Sequence, residues 1–315
     1  MSGERVAVAA CAAVHCLGVH QEDTVLVVCN EPQRSIAKAL AEASQARART
    51  TQLLEYETLS RNGEEPPGEI AAAMLQASVV FATTAYSLSH TKARLAATAA
   101  GARIAGMNAL TEDLFARALP IDYARLRTAS AKLAAALTAA KSCRVTSPAG
   151  TEITLSIEDR RATADDGHLQ QPGAFGNLPA GEAYIAPLET VGNGTIVFDG
   201  SLATYGLLDK PLRIELENGR AIAAHGEAAD WLLSTLDAGG EHGRSIAEIG
   251  IGTNPGAELC GVMVVDEKAL GTAHLAFGTS ASFGGINQAG VHIDGLIRQP
   301  TIQLDDDALL IADGV

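Results

Sequence analysis

"TVLVVCNEPQRSIAKALAEASQAR", residues 24–47, sets the architecture of the first half of the chain. Its first seven residues form a Val-rich run of the length and composition of a strand buried on both faces. Pro32 then stands near the start of a segment with apolar residues at helical spacing. A buried strand feeding an amphipathic helix is the repeating unit of a parallel sheet with right-handed crossovers. The unit recurs downstream. "ASVVFATT" (77–84) predicts a second buried strand, "HTKARLAATAAGAR" (90–103) a helix ending near Gly101, and "RIAGMN" (103–108) a third strand. "DYARLRTASAKLAAALTAAKS" (122–142) predicts a long helix that closes this half.

Beyond residue 142 the texture changes. "SCRVTSPAGTEITLSIEDRR" (142–161) predicts a hairpin turning at "SPAGT". Strand-like pieces follow at 194–202, 211–226, "CGVMVVD" (260–266), "VHIDGLI" (291–297) and "TIQLDDDALLIADG" (301–314), interrupted by one helix, "EAADWLLSTLDAG" (227–239). Gly, Asn and Asp clusters punctuate them. The "DDD" at 305–307 and "ADDGH" at 164–168 are expected to be acidic surface turns. The fold class is therefore an α/β N-terminal domain, a parallel sheet with flanking helices, over 1–142. A strand-rich α+β C-terminal domain follows over 143–315.

Composition narrows the function. The net charge of −14 and the lack of a Lys/Arg-rich run exclude nucleic acid and anionic membranes as expected partners. No apolar run is long enough to span a bilayer. The start "MSGERVAVAACAAVHCLGVH" contains Glu4, His15 and His20, so it is expected to be an amphipathic first helix rather than a leader. Five scattered cysteines without a CxxC pair are expected to be reduced core residues, which implies a cytoplasmic location. The N-terminal half has neither GxGxxG nor a P-loop, so it is expected to act as a scaffold. Its polar cluster "TTAYSLSHTKARL" (83–95) places His90 at a strand-to-helix junction, where a helix-capping role is expected.

The C-terminal half carries the chemistry. Glu182 lies in "NLPAGEAYIAP", Glu248 in "SIAEIGIGTNP", His274 in "LGTAHLAFG", and His292 and Asp294 in "VHIDGLI". A buried carboxylate or imidazole costs several kcal/mol unless paired or metal-bound. In a strand, residues i and i+2 share a face, so His292 and Asp294 can address one ion from the same side. Together the islands give a mixed N/O donor set suited to Zn, Mn, Co or Fe(II), as one or two divalent ions per chain. The lack of cysteine in the set argues against a purely structural zinc.

In their order along the chain these islands resemble the M29 metallo-aminopeptidases. The resemblance implies that Glu182, Glu248, His274, His292 and Asp294 are metal ligands and that the chain is a cytoplasmic, homodimeric metallo-hydrolase. A metal-activated water would attack a peptide or related amide, with Glu182 or Glu248 as general base. Two positions depart from that family. Ala281 stands where its tyrosine ligand would be, and Gly181 where a second glutamate would be. The chain is also similar to the 2,5-dihydroxypyridine 5,6-dioxygenases, which use ferrous iron on two histidines and an aspartate and place a histidine at the position of Glu248. That alternative implies ring cleavage of a small-molecule substrate at a Glu248–His292–Asp294 site. A non-catalytic relative with a binding or assembly role is the third expectation.

Overall fold

The computed structural model describes residues 2–305 and 308–311. The chain begins with α1 (Ser2–Cys16), β1 (Thr24–Cys29), α2 (Arg34–Gln45), β2 (Thr50–Glu55), α3 (Gly68–Gln76), β3 (Val79–Thr83), α4 (Lys92–Ala99), β4 (Arg103–Gly106) and α5 (Glu112–Ala118). It continues through α6 (Tyr123–Ala139), β5 (Ser142–Thr146), β6 (Glu152–Ser156), β7 (Thr163–Asp165), β8 (Phe175–Asn177), β9 (Glu182–Ile185), β10 (Asn193–Phe198), β11 (Ser201–Leu202) and β12 (Gly206–Leu207). It closes with β13 (Leu212–Glu217), β14 (Arg220–His225), α7 (Ala229–Ala238), β15 (Ile246–Gly252), α8 (Met263–Asp266), β16 (Thr272–Gly278), β17 (His292–Arg298), β18 (Thr301–Leu304) and β19 (Ala308–Ile311).

These elements form two units. The first takes the chain up to Tyr123 plus Gly167–Ala180, and the second takes Ala124–Asp166 and the chain from Gly181 onward. The single cut drawn at 142/143 therefore shifts for two reasons. Ala134 and Leu137 of α6 belong to the second unit's core. In addition, β8 returns to the first unit's sheet by pairing with β4.

The first unit is the α/β part. Its five strands, in the order β2-β1-β3-β4-β8, are all parallel. Alternation in β1 sends Leu26 and Val28 into a core with Ile70 and Met74 of α3 and Ala93 and Ala97 of α4. Helix α4 is capped by Thr91, whose Oγ1 accepts from the Arg94 amide at 3.2 Å, so the expected cap at His90 is one residue off. No helix of the described residues is long and apolar enough to cross a membrane.

The second unit is a sandwich of two antiparallel sheets, β14-β13-β10-β6-β5-β18-β19 and β12-β11-β17-β16-β15-β9-β7. Ile153, Leu155, Ile196, Phe198 and Ile214 of the first sheet share one core with Ile249, Ile251, Leu275, Phe277, Ile293 and Ile297 of the second. The expected hairpin at 142–161 is the β5–β6 pair. "CGVMVVD" is not a strand. Its last four residues are α8, and the Asp266 carboxylate ties the turn down by accepting from the amides of Cys260 and Gly261, each at 2.8 Å. Of the expected acidic turn, Asp306 and Asp307 lie outside the described residues, while Asp305 accepts from the amides of Lys141 and Ser142. No disulfide forms among the described cysteines. Cys16, Cys29 and Cys143 are buried as expected, whereas Cys11 is exposed and Cys260 half-buried.

Candidate metal centre

Four adjacent strands carry the five expected ligands, and the register puts all five on one face. Glu182 pairs with Gly252 and His274 with Gly250, while Glu248 pairs with Ala276, which pairs in turn with Asp294. His292 pairs with Gly278, two residues along from Ala276 on the same side. The opposite face of the same strands is the apolar core. A β-bulge at Ala247 makes this possible, because the register shifts between Ile246 and Glu248. Ile246 therefore enters the core while Glu248, two residues on, points to the polar face.

The donors converge in two groups that share Glu248. Glu182, Glu248 and His274 form one, and Glu248, His292 and Asp294 the other, with the ligand atoms of each group within 4.8 Å of one another. His274 Nε2 lies 3.2 Å from Glu248 Oε1 and 3.5 Å from Glu182 Oε2. His292 Nε2 lies 3.5 Å from Glu248 Oε2 and 3.3 Å from Asp294 Oδ1. Glu248 thus sends one oxygen into each group. Glu182, Glu248, His274 and Asp294 are buried, and His292 is half-buried at the open edge.

Hydrogen bonding prepares the donors. His292 Nδ1 donates to the Thr279 carbonyl at 2.8 Å, since that oxygen only accepts, and this leaves Nε2 facing the carboxylates. Glu182 Oε2 and His274 Nδ1 are buried without a hydrogen-bond partner. An orphaned polar atom of this kind costs about 1–3 kcal/mol, which a cation in the group would offset at Glu182 Oε2. Room for the His274 ring comes from Gly250, where a Cβ would lie 2.1 Å from His274 Cε1. Gly250→Ala is accordingly expected to lower stability by about 1–3 kcal/mol in urea unfolding, as overpacking does. A wild-type midpoint would show that the imidazole has space to move.

The electrostatics follow from burial and pairing. Burial raises the Glu248 carboxyl, but the His274 and His292 hydrogen bonds overcome it and bring the group down to about 2. Burial opposes charge on His274, yet Glu248 and Glu182 hold it up at about 9. His292 is likewise held well above its ordinary value against burial, chiefly by Asp294. Glu182 goes the other way. Burial pushes it up to about 8, with Lys268 opposing.

Lys268 is absent from the sequence reading. Its side chain is 2% exposed, and Nζ lies 2.5 Å from Glu182 Oε1, 2.9 Å from Glu267 Oε1 and 3.2 Å from Asp165 Oδ2. Burial would strip its charge, but the three carboxylates hold the ammonium well above its usual range. Asp165, expected on a surface turn, is on β7 and belongs to this network, pairing across the sheet with Glu182. Tyr184 was also missed. Two residues after Glu182 it shares the polar face, and its ring meets Phe283 edge-on at 5.7 Å. Phe283 meets the His292 ring at 5.8 Å. The signals available were the charged triplet "DEK" (266–268) in an apolar segment and the i, i+2 spacing of Glu182 and Tyr184. Gly181 explains its own departure from the aminopeptidase pattern. Its φ is +133°, and a Cβ there would sit 2.6 Å from the Asn254 Cβ, so no glutamate side chain fits.

Comparison with known proteins sharpens this. The family model of the 2,5-dihydroxypyridine 5,6-dioxygenases matches residues 7–315. A curated 2,5-dihydroxypyridine 5,6-dioxygenase from Pseudomonas putida KT2440 is 26% identical over 217 residues, or 64% of this chain and 61% of that protein. The match therefore spans about three fifths of that relative's length. The solved structure of 2,5-dihydroxypyridine dioxygenase from the same organism superposes with a TM-score of 0.81 at 20% identity, covering 100% of this chain and 98% of that one. AmpT from Thermus thermophilus, an M29 aminopeptidase, superposes with a TM-score of 0.74 at 18% identity, covering 98% of each. At these identities the two structures speak to the fold, which is the expected one. The metallo-hydrolase expectation is overturned, because both the family match and the curated relative are ring-cleaving dioxygenases. A divalent metal ion is the cofactor consistent with that family and with the donor groups on β9, β15, β16 and β17. A family match over residues 7–315 means that the chain belongs to the 2,5-dihydroxypyridine 5,6-dioxygenase family.

Proposed function

We propose that this chain is a ferrous dioxygenase that opens a hydroxylated pyridine or a closely similar aromatic ring. The observation that carries the reading is the Glu248–His292–Asp294 group, one imidazole and two carboxylates at the open edge of the polar face. Such a set fits a divalent first-row ion with open positions. Glu182 and His274 extend the metal-binding face through Glu248, so all five residues are assigned to it. Ferrous iron held there would supply the one-electron chemistry that lets dioxygen react with a closed-shell ring.

The chain's own residues do the rest. His274 Nε2 and Glu248 Oε1 are 3.2 Å apart, which turns Oε2 toward His292 and Asp294. The two carboxylates offset the charge of a divalent ion. The Thr279 carbonyl keeps the His292 ring in one tautomer and one orientation. Phe283 meets the His292 ring edge-on and Tyr184 meets Phe283 in turn, an aromatic border suited to a flat ring.

The test is oxygen consumption. Protein loaded with Fe(II) under nitrogen is expected to take up dioxygen when 2,5-dihydroxypyridine is added, and zinc-loaded protein is expected to take up none. Iron-loaded protein that consumes no oxygen with any of a panel of hydroxypyridines would contradict the reading.

A further inference from the structure

The segment between β16 and β17, residues 279–291, does two things at the candidate centre. It supplies the Thr279 carbonyl that orients His292, and it carries Phe283 against the His292 ring. It is fastened from outside by an ion pair. Arg160 Nη2 lies 2.6 Å from Glu189 Oε2, and the two side chains are 13% and 7% exposed. The second guanidinium nitrogen, Nη1, donates to the Gly284 carbonyl. The second carboxylate oxygen, Oε1, accepts from the Ile286 amide at 2.7 Å. Each partner thus spends one atom on the pair and one on the main chain of the segment. A pair built only for stability has no need of that arrangement, and buried pairs add little net stability in any case.

The link onward runs through Asn287. Its Nδ2 donates to the Ile246 carbonyl at 3.1 Å, next to the bulge that aims Glu248. Its own carbonyl accepts from the Ser280 amide and from Thr279 Oγ1, both at 3.1 Å. Thr279 is then one hydrogen bond from His292.

We propose that Arg160 and Glu189 are positioning residues for the metal centre, acting on His292 through the 279–291 segment. The inference rests on the assignment of His292 as a metal ligand. It is tested by Co(II) titration of the full chain under nitrogen, reading Kd and the visible Co(II) absorption bands. Glu189→Gln is expected to weaken Co(II) binding about 10-fold and to change the band shape, as loss of an outer support does. Arg160→Lys keeps the charge but loses the two-pronged reach, and is expected to show a smaller shift in the same direction. Asn287→Ala removes the segment's anchor to the Ile246 carbonyl with the ion pair and the main-chain bonds to Thr279 intact, and is expected to give a smaller shift in the same direction. Glu152→Gln, in the exposed Arg144–Glu152 pair, is expected to leave both readouts unchanged. Wild-type Kd and bands in folded Glu189→Gln, or in Arg160→Lys where Glu189→Gln does not fold, would overturn the positioning role alone. A wild-type chain that takes up no Co(II) would overturn the ligand assignment as well.

Discussion

His292→Ala and Asp294→Ala proteins are expected to lose their metal ion and keep their fold. Both side chains stand at the start of β17, on the polar face, and neither belongs to the apolar core. The β16–β17 ladder is made by main-chain bonds that survive either truncation. Each change removes one donor of the three in the Glu248–His292–Asp294 group. Loss of an outer-shell partner alone weakens metal binding 10- to 100-fold, so loss of a ligand is expected to exceed about 100-fold. Elemental analysis after reconstitution checks the first half, and thermal unfolding of the metal-free variants checks the second. Wild-type metal content in either variant would remove that residue from the ligand set.

Lys268→Met is expected to have the opposite profile, with a large loss of stability. Removing the ammonium leaves Asp165, Glu182 and Glu267 facing one another without a cation. Breaking a buried ionic group by deleting one partner costs about 3–5 kcal/mol. The loss should depend on pH with a definite sign. Burial already raises Glu182 from its ordinary 4.5 to about 8, and it raises Glu267 as well. A carboxyl raised in the folded state favours folding when protonated, and that contribution is lost as pH rises through this window. Without Lys268 the main opposing charge is gone and His274 remains to oppose the rise. The deficit is therefore expected to be smallest near pH 4.5 and to grow toward pH 8, as read from urea midpoints of metal-free protein. A deficit independent of pH would mean that the carboxylates find other partners.

Much of the fold can be read in the sequence because its signals are periodic. The Val-rich runs of β1 and β3 and the helical spacing after Pro32 give the parallel sheet, and "SPAGT" marks the β5–β6 turn. β2 escapes because "TTQLLE" lacks the continuous apolar run of its neighbours, as suits an edge strand that is partly exposed. "CGVMVVD" misleads because four apolar residues in a row suit a buried strand and a buried helical turn equally well. The return of β8 to the first unit's sheet is a long-range pairing of three residues, too short to announce itself.

The candidate site divides in the same way. Glu182, Glu248, His274, His292 and Asp294 stand out because each is an ionisable residue in an apolar setting. Lys268 does not stand out, because an ion pair between β7, β9 and the turn before β16 has no pattern in the chain. The reaction was misread for a chemical reason. A face of carboxylates and imidazoles can serve hydrolysis or oxygen chemistry, and the retained glutamates favoured the former. Ala281 and Gly181, each missing an aminopeptidase side chain, pointed away from it.

Insertion of dioxygen into a ring at the proposed metal face is checked by mass analysis of the product formed by iron-loaded protein under oxygen-18 gas. The expected product of 2,5-dihydroxypyridine, or of the hydroxypyridine that proves to be the substrate, is ring-opened and carries both atoms of one labelled dioxygen molecule. A product that takes its new oxygen from water, with no label from the gas, would contradict it.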